Sequence, residues 1–249
     1  MEKKSEKITA WIKEKADEAG AKGVIIGLSG GIDSSCVAVL CKRAFPDSTL
    51  GVIMPCFSSH YDLAHARILA EKFDIPYNIV NLEESFTALF RSLSGEEYDK
   101  EKHNNIASAN LKPRLRMSAL YYFANKLNCL VAGTDNKSEE MIGYFTKYGD
   151  GGVDILPIVG LFKKDVRKMA KHLGIPGEII AKKPSAGLWD GQTDEDEMGL
   201  SYEELDEILE QLEKGGGAGS FDEEKVRKVK HMMKVSAHKR EMPPGCKLD

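Results

Sequence analysis

Short apolar runs alternate with amphipathic stretches along the first half of the chain. The apolar runs are rich in β-branched residues and flanked by glycine or proline, which is typical of buried parallel strands. They predict strands at residues 23–28, 50–55, 77–80 and 128–133. Between these runs apolar residues recur at helical spacing. This pattern predicts helices at about residues 5–20, 34–45, 60–73, 82–92 and 111–127.

Strands that alternate with helices are typical of an α/β fold, with a doubly wound parallel sheet and helices on both faces. We expect residues 1–249 to form a single domain, because no internal repeat is visible. Polar residues at 95–105 predict a loop, and the glycines of 215–220 predict a flexible link between two helices of the tail. Two adjacent prolines near the end predict an extended surface strap over residues 238–249.

Composition narrows the class of protein. The chain has 249 residues, 42% of them hydrophobic and 30% charged, and a formal net charge of −4. An acidic balance disfavours a nucleic-acid backbone as the main partner. No apolar stretch has the length needed to cross a membrane or the pattern of a signal peptide. The five cysteines are odd in number and form no C-x-x-C pair, so we expect a reduced, cytoplasmic protein.

The turn SGGIDS at residues 29–34 lies between the first strand and the next helix. Such a turn presents backbone N–H groups and the positive end of a helix dipole to a single point, which suits a phosphate. Its glycines would let an anion approach closely, and Asp33 would hold a bridging Mg²⁺. An ordinary tight turn is the alternative. The pattern is neither a Walker A loop nor a G-x-G-x-x-G fingerprint.

SGGIDS resembles the SGGxDS loop of the ATP pyrophosphatases, enzymes that cleave ATP between the α- and β-phosphates. Further segments resemble one branch of that superfamily, the ammonia-dependent NAD synthetases, and together they span nearly the whole chain. They are NLKPRLRM at 110–117, GTDNKSEE at 133–140, FTKYGDGG at 145–152, KKPSAG at 182–187 and SAHKREMP at 236–243. The resemblance implies an adenine nucleotide alpha hydrolase-like fold.

The resemblance also implies a binding site for ATP. The expected ATP contacts are Gly27, Leu28, Ser29, Gly30, Gly31, Ile32, Asp33, Ser34, Thr134, Lys163 and Ser185. Asp33 and Glu139 would together hold Mg²⁺, although a glutamate at this helix position could equally be a solvated carboxylate. Lys163 begins a helix, where a cation opposes the dipole unless an anion lies nearby, and we expect that anion to be the polyphosphate.

For the second substrate, deamido-NAD, the resemblance implies contacts from Arg114, Lys147, Asp154, His238 and Lys239. Arg114 suits a phosphate because its guanidinium can donate two parallel hydrogen bonds, and Asp154 suits ribose hydroxyls. Without the resemblance, the His238 and Lys239 side chains would be expected in solvent. A neighbouring arginine, Arg116, is expected on the opposite side of its helix and away from the site.

The resemblance implies catalytic roles for Asp150 and Lys163. Asp150 would take a proton from ammonium, which cannot attack while its lone pair is bound to that proton. Lys163 would stabilise the departing pyrophosphate. The alternative for Asp150 is a turn-forming aspartate before two glycines.

The implied reaction joins ammonia to deamido-NAD through an acyl-adenylate, producing NAD, AMP and pyrophosphate. No glutaminase segment precedes the first strand, so free ammonia or a separate subunit would supply the nitrogen. The resemblance implies a homodimer, and we expect residues 182–199, which lack a helical or strand period, to close over ATP as a lid. The rival functions are a tRNA-thiolating or lysidine-type ATP pyrophosphatase and a non-catalytic nucleotide sensor.

Overall fold

Four parallel strands form the centre of the protein in a computed structural model that describes residues 1–187, 189, 191–215 and 221–248. The strands are β1 Val24–Gly27, β2 Thr49–Ile53, β3 Tyr77–Ile79 and β4 Leu130–Ala132. Their order in the sheet is β3-β2-β1-β4, and every pair is parallel. The predicted doubly wound α/β fold is confirmed.

Helices cover both faces of the sheet and continue beyond its edge. In the first half they are α1 Glu2–Glu18, α2 Ile32–Ala44, α3 His60–Lys72, α4 Glu83–Ser94, α5 Ile106–Ala109 and α6 Leu111–Leu127. In the second half they are α7 Lys137–Ile142, α8 Lys163–Leu173, α9 Gly177–Ala181, α10 Asp194–Met198, α11 Tyr202–Glu213 and α12 Glu223–Val235. A short 3₁₀ helix follows at Ala237–Lys239. None of the helices in the described residues is long and apolar enough to span a membrane.

The central strand divides its side chains between two cores. Val24 and Ile26 of β1 belong to a core that also contains residues of α1, α2 and α8. Ile25 points the opposite way, into a core with residues of α4 and α6. All three side chains are fully buried. Burial on both faces explains why the run reads as continuously apolar instead of alternating.

A third apolar cluster lies among the helices of the second half. It joins α7, α10, α11 and α12 through side chains such as Ile142, Met198, Leu205 and Val226. Phe162, which immediately precedes α8, is also part of it. This cluster therefore packs against the C-terminal end of α7 and the N-terminal end of α8.

The strand order creates a crevice between β1 and β4. The chain runs from β1 to β2 and β3 on one side, whereas β4 pairs with the other side of β1. Connections that leave neighbouring strands in opposite directions open a crevice at the carboxyl ends of those strands, where doubly wound proteins bind ligands. The turn SGGIDS follows β1, and GTDNKSEE follows β4.

Three segments differ in part from the predictions. Residues 95–105 form the predicted loop, but α5 follows directly and was not predicted. Within residues 182–199 the expected absence of helix is wrong for α10, whose N-terminus the Thr193 side chain caps. In the predicted strap, His238 and Lys239 belong to a 3₁₀ helix, while residues 241–248 have no regular structure. Most of the predicted 215–220 link lies outside the described residues.

Candidate active site

A cavity of about 520 Å³ opens at the carboxyl ends of β1 and β4. Its size is within the range of small-molecule and nucleotide sites. All but two of the predicted site residues line it. They are Gly27, Leu28, Ser29, Gly31, Ile32, Asp33, Ser34, Arg114, Thr134, Glu139, Lys147, Asp150, Lys163, Ser185, His238 and Lys239. The two exceptions are Gly30 and Asp154.

The SGGIDS turn is held in shape by its own serines. The Ser29 and Ser34 hydroxyls lie 2.9 Å apart, and the Gly31 N–H donates to Ser29 Oγ at 3.2 Å. Ser34 Oγ in turn donates to the Gly31 carbonyl at 3.1 Å. Helix α2 begins at Ile32, so its first-turn N–H groups face the cavity edge. The turn therefore presents the backbone donors that a phosphate requires.

The glycine at position 30 has a structural reason that the sequence did not show. Gly30 has φ +74°, and a Cβ there would lie 2.4 Å from the Asp62 carbonyl oxygen on α3. Close packing against α3 and a left-handed backbone exclude any other residue at this position. Packing against α3 is thus one reason for a glycine at this position, and close approach of an anion stays a prediction.

Asp33, Lys163 and Glu139 form a buried three-way ion pair. Lys163 Nζ lies 2.7 Å from Asp33 Oδ2 and 2.9 Å from Glu139 Oε1. The side chains are 2% exposed for Lys163, 17% for Asp33 and 12% for Glu139. Burial alone would lower the pKa of Lys163, but the two carboxylates outweigh burial and raise it. Burial raises the pKa of Glu139 to about 7 against the attraction of Lys163.

These carboxylates also explain how Lys163 can begin a helix. We expected polyphosphate to offset its charge, whereas here Asp33 and Glu139 do so. The first N–H groups of α8 are capped as well. The Lys163 N–H donates to Ser138 Oγ at 3.0 Å, and the Lys164 N–H donates to Asp206 Oδ2 at 2.9 Å. The cation is therefore fixed in place by its neighbours in the protein.

Asn136 positions both candidate metal ligands, and sequence reasoning missed it. Its amide donates to Asp33 Oδ1 at 2.9 Å, and its side-chain oxygen accepts from the Glu139 N–H at 3.1 Å. Glu139 Oε2 accepts from the Asn136 N–H in return, which completes a capping box. The N-x-x-E spacing of a capping box was the signal in the sequence that could have identified this residue.

Tyr202 lies beneath the ion pair and was not predicted. Its hydroxyl is 2.9 Å from Glu139 Oε1 and 3.0 Å from Asp194 Oδ2. Lys163 Nζ lies 4.5 Å from the centre of its ring, within cation–π distance. The side chain is fully buried, and burial raises the pKa of its phenol. Tyr202 therefore links Lys163 and Glu139 to α10, which contains Asp194.

Asp150 shapes a turn and also lines the cavity. Its Oδ1 accepts from the Thr146 N–H at 2.9 Å, as the turn-forming alternative requires. Burial raises the pKa of Asp150, while backbone N–H groups and the cations Lys239 and Arg116 oppose the rise. The turn-forming role of Asp150 is thus observed, and its proton-accepting role stays a prediction. The glycines beside it pack against protein, because a Cβ at Gly151 would lie 2.5 Å from the Phe145 ring.

On the side of the cavity nearest the C-terminal segment, lysine side chains bind backbone carbonyls of separate parts of the chain. Lys239 Nζ donates to the Gly143 and Phe145 carbonyls, each at 2.7 Å. The side chain is half-buried by these contacts, not in solvent as the sequence alone suggested, and burial lowers the pKa of Lys239. The Lys147 ammonium donates to the His238 carbonyl, and Arg114 Nη2 lies 3.5 Å from the Lys147 carbonyl.

Asp154 lies outside the cavity, and both of its oxygens have partners. Oδ2 accepts from the Val131 N–H at 2.7 Å, and Oδ1 accepts from the Tyr121 hydroxyl at 2.9 Å. The side chain holds β4 and α6 together beyond the edge of the cavity. A role in binding the second substrate therefore remains a prediction for this residue.

Asp33 and Glu139 fit a divalent ion that a nucleotide completes. Mg²⁺ is commonly held by one or two carboxylates together with substrate phosphates. The ammonium of Lys163 contacts an oxygen of each carboxylate, so a cation already occupies the position between them. Within the described residues no group of three or more His, Cys, Asp or Glu side chains is placed to hold a metal alone. The donor set thus suits an ion shared with phosphate.

The fold and this site define a nucleotide-binding α/β protein with a phosphate turn at the switch point of its sheet. The chain belongs to the NAD synthase family, whose sequence profile matches residues 4–243. It is 51% identical over 243 residues to the NH(3)-dependent NAD(+) synthetase of Carboxydothermus hydrogenoformans. The aligned residues cover 97% of this chain and 96% of that protein.

Solved structures show the same fold. The NMN synthetase of Francisella tularensis superposes with a TM-score of 0.89 at 35% identity, over 99% of this chain and 98% of that one. The NH3-dependent NAD synthetase of Campylobacter jejuni superposes with a TM-score of 0.83 at 31% identity, over 99% of each chain. The family resemblance carried by the sequence motifs is confirmed.

Proposed function

We propose that the chain is an AMP-forming ligase that amidates the nicotinate carboxylate of deamido-NAD with ammonia at the expense of ATP. One observation carries the proposal. A single cavity contains the phosphate turn, the Asp33–Lys163–Glu139 ion pair and Asp150. Membership of the NAD synthase family supports the same reaction.

In the first step the substrate carboxylate attacks the α-phosphorus of ATP, and pyrophosphate leaves. The α2 N-terminus and the SGGIDS amides bind the polyphosphate, and Lys163 stabilises the charge that develops on the leaving group. Asp33 and Glu139 are the residues that would hold Mg²⁺, which neutralises phosphate charge when bound. The Lys163 ammonium, now on the two carboxylates, is within the same cavity as the turn.

In the second step ammonia attacks the acyl carbon, and AMP leaves with the oxygen that joined it to the acyl group. Asp150 accepts a proton from ammonium, because only the free base has a lone pair for attack. The pKa of this carboxyl group is raised, which makes its carboxylate a stronger base and so suits a proton acceptor. Its fixed position on the Thr146 N–H holds it at the cavity wall.

We also propose a homodimer and a cytoplasmic location. The dimer is supported by large hydrophobic side chains that are exposed on the surface of α6. There Tyr122 is 61% exposed and Leu127 43% exposed, on the helix whose Tyr121 binds Asp154 outside the cavity. Size-exclusion chromatography with light scattering measures the mass directly. A mass of one chain at micromolar concentration would contradict the dimer.

Product analysis tests the reaction. Purified protein with ATP, Mg²⁺, ammonium and deamido-NAD should produce NAD, AMP and pyrophosphate in equal amounts. Release of ADP and phosphate would contradict adenylation. Ammonium should support turnover, and ammonia-free glutamine alone should not.

The Francisella tularensis likeness supports a second candidate substrate, the corresponding mononucleotide acid, because that protein is an NMN synthetase. The same assay with nicotinate mononucleotide in place of deamido-NAD separates the two. Under this proposal kcat/KM is higher for the dinucleotide.

A further inference from the structure

Arg116 lies in the wall of the cavity, although the sequence placed it on the far side of its helix. It is on α6 Leu111–Leu127 and lines the same cavity as the phosphate turn. Its Nε donates to the Met54 carbonyl at 3.2 Å, just beyond the end of β2. Its Nη2 donates to Ser58 Oγ at 3.3 Å. Both acceptors are neutral.

No carboxylate within the described residues forms an ion pair with Arg116. The two acidic side chains with which it interacts electrostatically, Asp150 and Asp62, are engaged elsewhere. Asp62 pairs with Lys182, and Asp150 accepts from the Thr146 N–H. Burial lowers the pKa of Arg116, so removal from water disfavours its charge. Lys163 is also buried but is neutralised by two carboxylates.

A guanidinium remains charged at any physiological pH, so burial cannot be relieved by loss of a proton. A partly buried cation without an anion is disfavoured, and such a position persists where a ligand supplies the missing charge. A guanidinium has five N–H donors, and two of those on Arg116 are used within the described residues. The other three N–H donors are on a side chain that lines the cavity, where a ligand can accept hydrogen bonds from them.

We propose that Arg116 binds an oxyanion of the reacting centre, either the substrate carboxylate or the α-phosphate that this carboxylate attacks. The proposal rests on the proposed amidation reaction. The carboxylate and the α-phosphate meet at one place during the first step. Arg116 interacts electrostatically with Asp150, the proposed proton acceptor of the second step. The planar fork of arginine matches either anion through two parallel hydrogen bonds.

The test compares R116Q and R116K with a matched control, R67Q, whose arginine on α3 is exposed and does not line the cavity. We expect R116Q to lower kcat/KM by about 100-fold, as loss of an oxyanion donor does. R116K retains the positive charge but not the planar pair of N–H donors, so its kcat/KM should lie between those of R116Q and the wild type. R67Q should equal the wild type. Circular dichroism confirms folding, and R116K serves alone if R116Q does not fold.

Calorimetric binding distinguishes the two anions. If the anion is the carboxylate, R116Q weakens binding of deamido-NAD but not of NAD, which has an amide instead. If it is the α-phosphate, R116Q weakens binding of AMP but not of adenosine. Unchanged affinity for all four probes together with wild-type kcat/KM in R116Q and R116K overturns the proposal. A wild-type protein that makes no NAD would instead contradict the amidation reaction, and binding to Arg116 could still be measured.

Discussion

The two ends of the cavity are built differently. At the phosphate end, SGGIDS, Asp33, Glu139 and Lys163 are held by short contacts to one another and by the caps of α7 and α8. At the other end, Lys147 and Lys239 bind backbone carbonyls of separate segments, and Asp154 lies outside the cavity. The proposed site for polyphosphate is thus preorganised by secondary structure, whereas the proposed site for the second substrate depends on loops and the tail.

This difference has a chemical consequence. Stabilisation of a leaving group requires charges that are already in place when the bond breaks. Recognition of a second substrate tolerates a looser arrangement, since binding contacts can form as the ligand arrives. We therefore expect substitutions at the phosphate end to reduce turnover, and substitutions at the other end to alter the KM for deamido-NAD.

The largest effect should come from Lys163→Met. The change removes the proposed stabilising charge and leaves two carboxylates of the ion pair without a cation. We expect kcat to fall by about 1,000-fold and the free energy of unfolding by about 3 kcal/mol. Steady-state NAD formation and urea unfolding measure the two quantities. K164M is the control, because Lys164 pairs at the surface with Glu210, and it should change neither by much.

Asp33→Asn and Glu139→Gln should each reduce the adenylation rate by about 100-fold while the fold is preserved, because each removes one anionic ligand. The loss should be partly recovered at high Mg²⁺. Pyrophosphate release at a series of Mg²⁺ concentrations measures the rate, and Glu140→Gln provides the control beside Glu139. Wild-type rates in both variants at limiting Mg²⁺ would show that the ion is held elsewhere.

Stability without metal should depend on pH through Glu139. Burial raises its pKa from 4.5 to about 7 in the folded protein. Its contribution is therefore complete below about pH 4.5 and is lost as pH rises through about 7. A shift of this size corresponds to at most about 3 kcal/mol. Urea unfolding in EDTA from pH 5 to 9 should show that the free energy of unfolding of the wild type falls with pH, and that it falls less in E139Q. Equal dependence on pH in the two proteins would contradict the assignment of this effect to Glu139.

Tyr202→Phe should have a smaller effect, about 10-fold on kcat, because it removes one hydrogen bond that orients Glu139 and retains the ring beneath Lys163. The Mg²⁺ concentration for half-maximal rate should rise, a change that loss of packing alone would not produce. Tyr61→Phe is the control, since Tyr61 is 65% exposed. An unchanged Mg²⁺ dependence in Y202F would show that Glu139 is positioned without the hydroxyl.

Asp154→Asn should have the smallest effect. Its carboxylate already accepts from Val131 and Tyr121, so the variant should lose about 1 kcal/mol of stability. If Asp154 also binds deamido-NAD, as the resemblance implies, the KM for that substrate should rise a few-fold and the KM for ATP should not change. Equal changes in both constants would show that Asp154 acts only through the fold.

The sequence predicted those elements whose pattern is long. Residues 111–127 match α6 at both ends. Three strands lie within the predicted runs, and β2 begins one residue before its run. The short helices α5 and α10 were missed because four or five residues are too few to show a helical period. Each begins at a side-chain cap, Asn105 or Thr193, which is a weaker signal than periodicity.

The site was predictable where a local motif carries it and not where it depends on tertiary contact. Asp33 and Lys163 are 130 positions apart in sequence, and nothing local indicates that they touch. Tyr202 reaches Glu139 from α11 across 63 positions. Arg116 was assigned to the wrong side of α6 because helical spacing from Arg114 does not show which face meets the end of β2. Closure of residues 182–199 as a lid stays a prediction.

Isotope transfer tests the central claim, that the phosphate end forms an acyl-adenylate. Deamido-NAD labelled with ¹⁸O in both carboxylate oxygens would be converted with ATP, Mg²⁺ and ammonium, and the AMP and pyrophosphate analysed by mass spectrometry. Attack of the carboxylate on the α-phosphorus predicts one ¹⁸O in AMP, one in the amide of NAD and none in pyrophosphate. Unlabelled AMP with ¹⁸O in phosphate or pyrophosphate would contradict the adenylate and the proposed role of Lys163.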